Sequence, residues 1–386
     1  MERRRFFQYA GMSVAAAYSG TLSARSQDHV IVAGAGIIGS SIAYHLAKRG
    51  ARVTLLERQR PAAGTTRNSF AWLNASSKSP RAYYDLNLAG MLGWRRLSLE
   101  IGPSLPIQWG GGLQWCKPEN TAQEAMKKRV AERQNWGYSV DMIDREEFKR
   151  LAPYATPGEF GCANFADQEG TVDPVVAAET LVAKARELGV EVIYPCEIKS
   201  FRSSGGRVKA VDTSAGPMEA DTVVLATGNE TERLARTLEL AVPLKVSKGI
   251  LAHSTPQEHF LSRVLMPPSA EIKQNVDGRI VTGFNFDDTG DLEPTEELGR
   301  DYLKTAAQYL PACRDSKLEF MTLGHRVMPK DNYPIVGRFE KYPNLYVAAL
   351  HSGMTMAPII GQFASLEILD GARVDMLAPY RPERFS

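Results

Sequence analysis

The sequence predicts a mixed α/β fold. A dinucleotide-binding unit on a parallel sheet is joined to a discontinuous second domain on an antiparallel sheet. Three observations carry this. An apolar run from Val30 leads into Gly34-Ala-Gly36-Ile37-Ile38-Gly39. A second apolar run, Thr222-Val-Val-Leu-Ala-Thr, ends in Gly228. Elsewhere, alternating runs such as Ile250–His253 and Arg279–Phe284 are punctuated by Gly, Pro and Asp, the pattern of half-buried antiparallel strands.

The glycine stretch organises the chain. A helical pattern follows it (Ser40, Ile42, Ala43, Leu46, Ala47), and Arg52–Leu56 then reads as a second strand ending in Glu57 and Arg58. Strand, G-x-G-x-x-G, helix, strand and terminal acid together predict a site for a dinucleotide. Gly34 permits the tight turn and Gly36 admits a pyrophosphate to the helix N-terminus, where free N–H groups favour negative charge. Gly39 brings helix and strand together. Glu57, 18 residues after Gly39, is placed to accept from ribose hydroxyls and disfavours a 2′-phosphate. FAD or NAD is therefore expected over NADP.

Bulk properties narrow the class. The chain has 386 residues, 44% hydrophobic and 23% charged, as expected of a globular protein of two domains. A net charge of +2 without a basic stripe argues against nucleic acid as a partner. The four cysteines include no C-x-x-C and the six histidines no H-x-x-x-H, so neither a metal site nor a redox dithiol is expected. No apolar run is long enough for a transmembrane segment.

In chain order, Arg3-Arg4-Arg5-Phe6-Phe7 precedes a weakly apolar, small-residue stretch up to Ala24. It resembles a twin-arginine export signal, so residues 1–27 are expected to direct the protein to the periplasm, with a cytoplasmic protein as the alternative. After Glu57, the small and hydroxyl residues of Gly64-Thr65-Thr66 run on towards Ala71 and Trp72, offering donors beneath a pyrophosphate. Asp173-Pro174 opens an amphipathic helix that Gly189 closes, and Val190–Ile193 reads as a strand. A charged helical stretch covers Thr121 to Trp136.

Gly34–Gly39, Glu57 and Gly64-Thr65-Thr66 together resemble the D-amino-acid oxidase superfamily of flavoproteins, which includes glycine oxidase, sarcosine oxidase and D-amino-acid dehydrogenases. The resemblance spans about residues 29–372 and implies a glutathione-reductase-like, Rossmann-type FAD-binding domain. It implies residues 28–84, 170–235 and 326–386 for that domain, and 85–169 with 236–325 for the substrate domain. Ile198 resembles the point where the family backbone meets the adenine. Gly228 ends its second flavin-domain signature. His351-Ser352-Gly353-Met354-Thr355-Met356 resembles the loop and helix start that cap the flavin ring.

The resemblance implies oxidation of the C–N bond of an amino acid or amine (EC 1.4 or 1.5 type), by hydride transfer to flavin N5. The small-molecule substrate would be joined by an electron acceptor, oxygen or a respiratory carrier. Arg326, in Gly324-His325-Arg326-Val327, matches the family arginine that binds the substrate carboxylate, with pairing to Asp331 as the structural alternative. Asn68 and Gly324 stand where relatives link flavin covalently, so FAD is expected to be non-covalent. Val281 falls about where sarcosine oxidase has an oxygen-activating lysine, which favours a dehydrogenase over a hydrogen-peroxide-producing oxidase. Glu271 falls about where glycine oxidase has a carboxylate-binding tyrosine; a charged carboxylate there would repel an amino acid and attract an amine. His351 and His325 are candidate acid–base groups, and Trp72, Trp109 and Trp115 candidate pocket walls. A non-catalytic assembly factor is the reading from another class, against which Arg326 argues.

Overall fold

The structure, a computed structural model, describes residues 28–284 and 288–385. The expected export leader lies outside these residues.

β1 (His29–Ala33), α1 (Ile37–Lys48) and β2 (Arg52–Leu56) form the predicted unit, with Val32 opposite Leu55 in parallel register. The sheet has six strands. Their order is Ile335–Arg338, Leu345–Ala349, Thr222–Leu225, β1, β2 and Glu191–Ile193. Every pair is parallel except the one made by the edge strand Ile335–Arg338. Such strands are apolar on both faces because helices and loops cover both. Val30, Val32 and Leu55 pack under α1 and the helices Pro174–Glu187 and Gly353–Asp370, while Ile31, Leu56, Val223 and Leu225 face Leu234, Leu238 and Val208. Each fully buried side chain of this size contributes about 1.5–3 kcal/mol.

Gly39 is fixed by this packing, since a Cβ there would lie 1.8 Å from the Gly34 carbonyl oxygen. The helix Arg81–Ile101 closes the layer. Its Gly90 passes so near the chain that a Cβ would lie 2.3 Å from Thr355 O, and Trp94 Nε1 donates to Met354 O at 2.7 Å. The expected boundary between residues 84 and 85 runs through this helix. Tyr83, Leu86, Trp94 and Leu97 share the core of α1, while Tyr84 and Met91 pack with Tyr138, Cys162 and Ala166 of the other half, so the helix bridges the two.

The second sheet has eight strands, antiparallel except where Val264–Met266 runs parallel to Gly112–Cys116. Across it run Leu318–His325, Lys248–Ser254, Ile280–Gly283, Glu271–Gln274, Val264–Met266, Gly112–Cys116, Cys162–Ala166 and Asp141–Ile143. The expected runs at Ile250–His253 and Arg279–Phe284 lie on two of these strands, and the charged stretch is the helix Asn120–Asn135. Register creates contacts that spacing does not reveal. Cys116 pairs with Cys162 across two strands, and their Sγ atoms stand 3.4 Å apart. Both are free thiols, brought together by strand register rather than by spacing in sequence. Among the described residues no cluster suits a metal ion, and no helix is long and apolar enough to cross a membrane.

Candidate active site

One cavity of about 1050 Å³ runs from the glycine turn, between the two large sheets, to the second sheet. Small-molecule pockets reach about 300–1,000 Å³, so this one suits a dinucleotide with a small substrate beside it.

The dinucleotide end is prepared before any ligand arrives. Gly34 has φ +95°, and a Cβ would lie 2.5 Å from Ala226 O. Gly36 has an ordinary φ of −72°, and a Cβ there would meet Thr66 Oγ1 alone, at 3.2 Å. Its lack of a side chain therefore opens the cavity rather than relieving the backbone. Thr66 Oγ1 accepts from Ile37 N–H at 3.0 Å, tying the second loop beneath the helix start. Glu57 Oε2 accepts from Ala35 N–H at 3.0 Å and Oε1 from Gln59 N–H at 2.9 Å. These bonds hold the carboxylate at the cavity edge beside the glycine turn.

At the other end of the dinucleotide groove, Ala71 and Ser352 both have φ +57°. Non-glycine residues in this region cost on the order of 1–3 kcal/mol and cluster at functional sites. Ser352 turns the chain into the helix Gly353–Asp370, which begins without a side-chain cap. Gly353, Met354 and Thr355 face the cavity, so first-turn N–H groups and the positive dipole end are presented to a ligand. This donor set fits an anionic flavin edge. The residues present thus fit FAD at both ends: Glu57 for ribose, the α1 N-terminus for pyrophosphate, and the Ser352 turn for the ring.

Of the sequence-predicted cofactor residues, Gly34, Gly36, Ile37, Ile38, Glu57, Arg58, Gly64, Thr65, Thr66, Ala71, Trp72, Ile198, Gly228 and His351–Thr355 all line the cavity. Two do not. Gly39 packs inward against Gly34, and Met356 is fully buried in the core, one step along the helix from the lining residues.

Arg326 lies at the end of the strand Leu318–His325 and faces the cavity. Its Nη1 donates to Lys248 O at 2.8 Å and to Ser247 Oγ at 3.2 Å. Gly249 leaves the space: a Cβ there would lie 2.7 Å from Nη2. Lys248 and Gly249 thus supply an acceptor and a gap for one guanidinium. The expected alternative partner, Asp331, is taken by Arg384, with Nε 2.8 Å from Oδ2.

Glu271 lies on the strand Glu271–Gln274 and is buried. It is 3% exposed, lines the cavity, and has no hydrogen-bond partner for Oε2 among the described residues. Burial pushes it up to about 8, with Arg326 and Lys273 opposing, so it is mostly uncharged at neutral pH. The expected repulsion of an amino-acid carboxylate is therefore largely removed. His351 is driven down to about 3 by burial and by the fields of Lys78 and Arg326. It is neutral near pH 7, so of the candidate acid–base roles it could accept a proton there but not donate one. His325 is exposed, and its carbonyl accepts from Thr65 Oγ1 and Asn229 Nδ2. Trp72 and Trp115 line the cavity, but Trp109 does not; Arg95 stacks on it at 4.1 Å.

Sequence reasoning missed Lys78, Arg129 and Lys273. Lys78 and Arg129 line the cavity. Lys273 is fully buried, faces Val281 across the strand pair, and donates to Val172 O at 3.1 Å. No local motif marks any of the three.

Fold and site together define an enzyme built around a flavin dinucleotide. The chain belongs to the family described as FAD dependent oxidoreductase, which it matches over residues 29–365, and FAD is its cofactor. It is similar to a glycine oxidase of Bacillus licheniformis, 27% identical over 371 residues, which cover 93% of this chain and 98% of that protein. Its fold resembles that of a glycine oxidase from Geobacillus kaustophilus, with a TM-score of 0.83 and 21% identity over 92% of this chain and 98% of that one. It also resembles an L-proline dehydrogenase from P. horikoshii, with a TM-score of 0.81 and 24% identity over 93% and 98% of the two chains.

Proposed function

We propose that this enzyme oxidises the C–N bond of an amino acid, with Arg326 holding the substrate carboxylate. When bound, FAD supplies the two-electron acceptor. The observation that carries the reading is the seat of Arg326 over Gly249, which fixes a guanidinium fork at the cavity wall. Glu271, uncharged at neutral pH, stands on the same wall as a polar group for the substrate nitrogen. Trp72, Trp115 and Phe70 limit water around the reacting carbon. Anaerobic mixing with panels of D- and L-amino acids and simple amines tests this. At least one amino acid should bleach the flavin, and bleaching by amines alone would move the reading to an amine substrate.

Electron delivery to an acceptor other than oxygen is our preferred outcome, because Val281 puts no charge at its position. The oxidase reading has an observation of its own: Lys273 lies one strand away, its ammonium 5.6 Å from the centre of the Phe70 ring, which lines the cavity. Reoxidation of reduced enzyme in air decides between them. Slow reoxidation with little peroxide supports the dehydrogenase.

FAD is proposed to be non-covalent. Asn68 and Gly324 lie side by side, a Cβ on Gly324 falling 3.0 Å from Asn68 Cβ, and neither bears a thiol or imidazole. Acid precipitation should leave the flavin in solution. Export through the paired arginines is proposed as well. Replacing Arg3, Arg4 and Arg5 together with lysine should stop periplasmic delivery, and unchanged delivery would remove the proposal.

A further inference from the structure

Besides Arg326, the cationic side chains of Lys78 and Arg129 line the cavity. Neither charged group has a hydrogen bond or ion pair among the described residues. The two come from one corner of the molecule. Lys78 follows Ser76 by two residues, and Arg133 Nε donates to Ser76 O at 3.0 Å. Arg133 lies one turn beyond Arg129 on the helix Asn120–Asn135. Arg133 is already committed, to Glu132 at 2.7 Å and to the face of Trp136 at 4.2 Å.

Compensation nearby is weak. Glu169, the acid behind Lys78, accepts from Tyr138 Oη at 2.8 Å and Ser76 N–H at 3.2 Å, and burial raises it to about 7. Burial lowers Lys78 to about 8, and burial with repulsion from Arg133 lowers Arg129. Lys78 and Arg326 both act on His351, so the two cationic regions lie within electrostatic reach of one residue. Gln114, Trp115 and Met126 line the same cavity. Cations drawn from water without a counter-charge are costly, and an anionic ligand group offsets that cost.

We propose that Lys78 and Arg129 form a second carboxylate site, so that the substrate is an amino or imino acid with two carboxylates, one on Arg326 and one on this pair. The assignment rests on the amino-acid reading above.

The test uses holoenzyme and two probes without a C–N bond. Glutarate and butyrate are titrated, and binding is read from the shift in flavin absorbance. Glutarate should bind at least about tenfold more tightly, and Lys78→Met with Arg129→Gln should remove that advantage, because charge-assisted hydrogen bonds are lost. In a second arm, anaerobic flavin reduction by glutamate is compared with glutamine, in both enantiomers. The glutamate-to-glutamine ratio should fall by about 10- to 100-fold in the double variant. If that variant loses flavin, each single variant should lower the ratio several-fold. Equal binding of glutarate and butyrate, or a glutarate advantage that survives in the flavin-loaded variants, overturns the site. Reduction by no amino acid, with glutarate still held through the pair, would sink the amino-acid reading and leave an anion site.

Discussion

The two ends of the cavity are built by different rules. At the dinucleotide end, the groups that act together lie close in sequence. Gly34, Gly36, Glu57 and Thr66 fall within 33 residues, and their bonds join the turn, α1 and the following loop. At the substrate end, partners come from distant strands. Arg326 needs Gly249 and Lys248, and Glu271 stands beside Gly283 on the neighbouring strand. The first end binds a cofactor whose shape does not vary. The second must fit one substrate, and its charge is set by burial and register.

The largest expected effect comes from the first end. Gly34→Val forces a side chain into a backbone of φ +95° and to within 2.5 Å of Ala226 O. It should give colourless or insoluble protein. A soluble, fully yellow variant would show that the turn is less constrained than the geometry requires.

Next comes Arg326→Ala. Breaking a buried charge pair costs about 3–5 kcal/mol, so kcat/KM should fall on the order of 10²- to 10³-fold. FAD content should stay near the parent value, which separates the two ends. Arg326→Lys should recover only part, since an ammonium lacks the fork. Loss of flavin in Arg326→Ala would mean that the ends are not independent.

Gly249→Ala sharpens the same point with a smaller change. A methyl group 2.7 Å from Nη2 must push the guanidinium aside. We expect a fall in kcat/KM of about tenfold, carried mainly by KM, because a displaced anchor loses roughly one hydrogen bond. An unchanged KM would show that Arg326 does not depend on this seat.

The smallest effect concerns pH. Burial raises Glu271 to about 8, so it is neutral below that value and becomes an anion above it. KM for an amino acid should therefore rise several-fold from pH 7 to 9 in the parent, as like charges meet. Glu271→Gln should flatten that rise. The same shift bears on stability: the neutral form is favoured on folding, so its contribution is full below the ordinary glutamate range and lost as pH climbs through 8. The thermal midpoint should drop less in Glu271→Gln over the same interval. Parallel curves for parent and variant would reassign the titrating group.

These differences explain what was legible in the sequence. The glycine turn, the acid after β2, the second flavin strand and the helix beginning at Gly353 are short, local patterns that the sequence displays directly. Arg326 was found through the residues around it, but its seat was not, because Gly249 is 77 positions away and meets it only through strand pairing. Glu271 was located while its charge was misjudged, since periodicity cannot report that both sides of a strand are covered. Lys78 and Arg129 carry no motif; their meaning comes from a shared corner of the cavity and from the lack of an acid paired with either among the described residues. The expected boundary at residue 84 falls inside the helix Arg81–Ile101, whose faces pack on both halves, and composition along the chain does not reveal that.

The central claim is that Arg326 selects a carboxylate above the flavin. Its most direct test is the anaerobic rate of flavin reduction by the best amino acid against the amine formed by removing its carboxylate. The comparison is made in the parent and in Arg326→Ala with equal bound FAD. The account predicts a preference for the amino acid of on the order of 10² or more in the parent, collapsing to near unity in the variant. A parent that reduces equally fast with the amine, or a variant that keeps the preference, would contradict it.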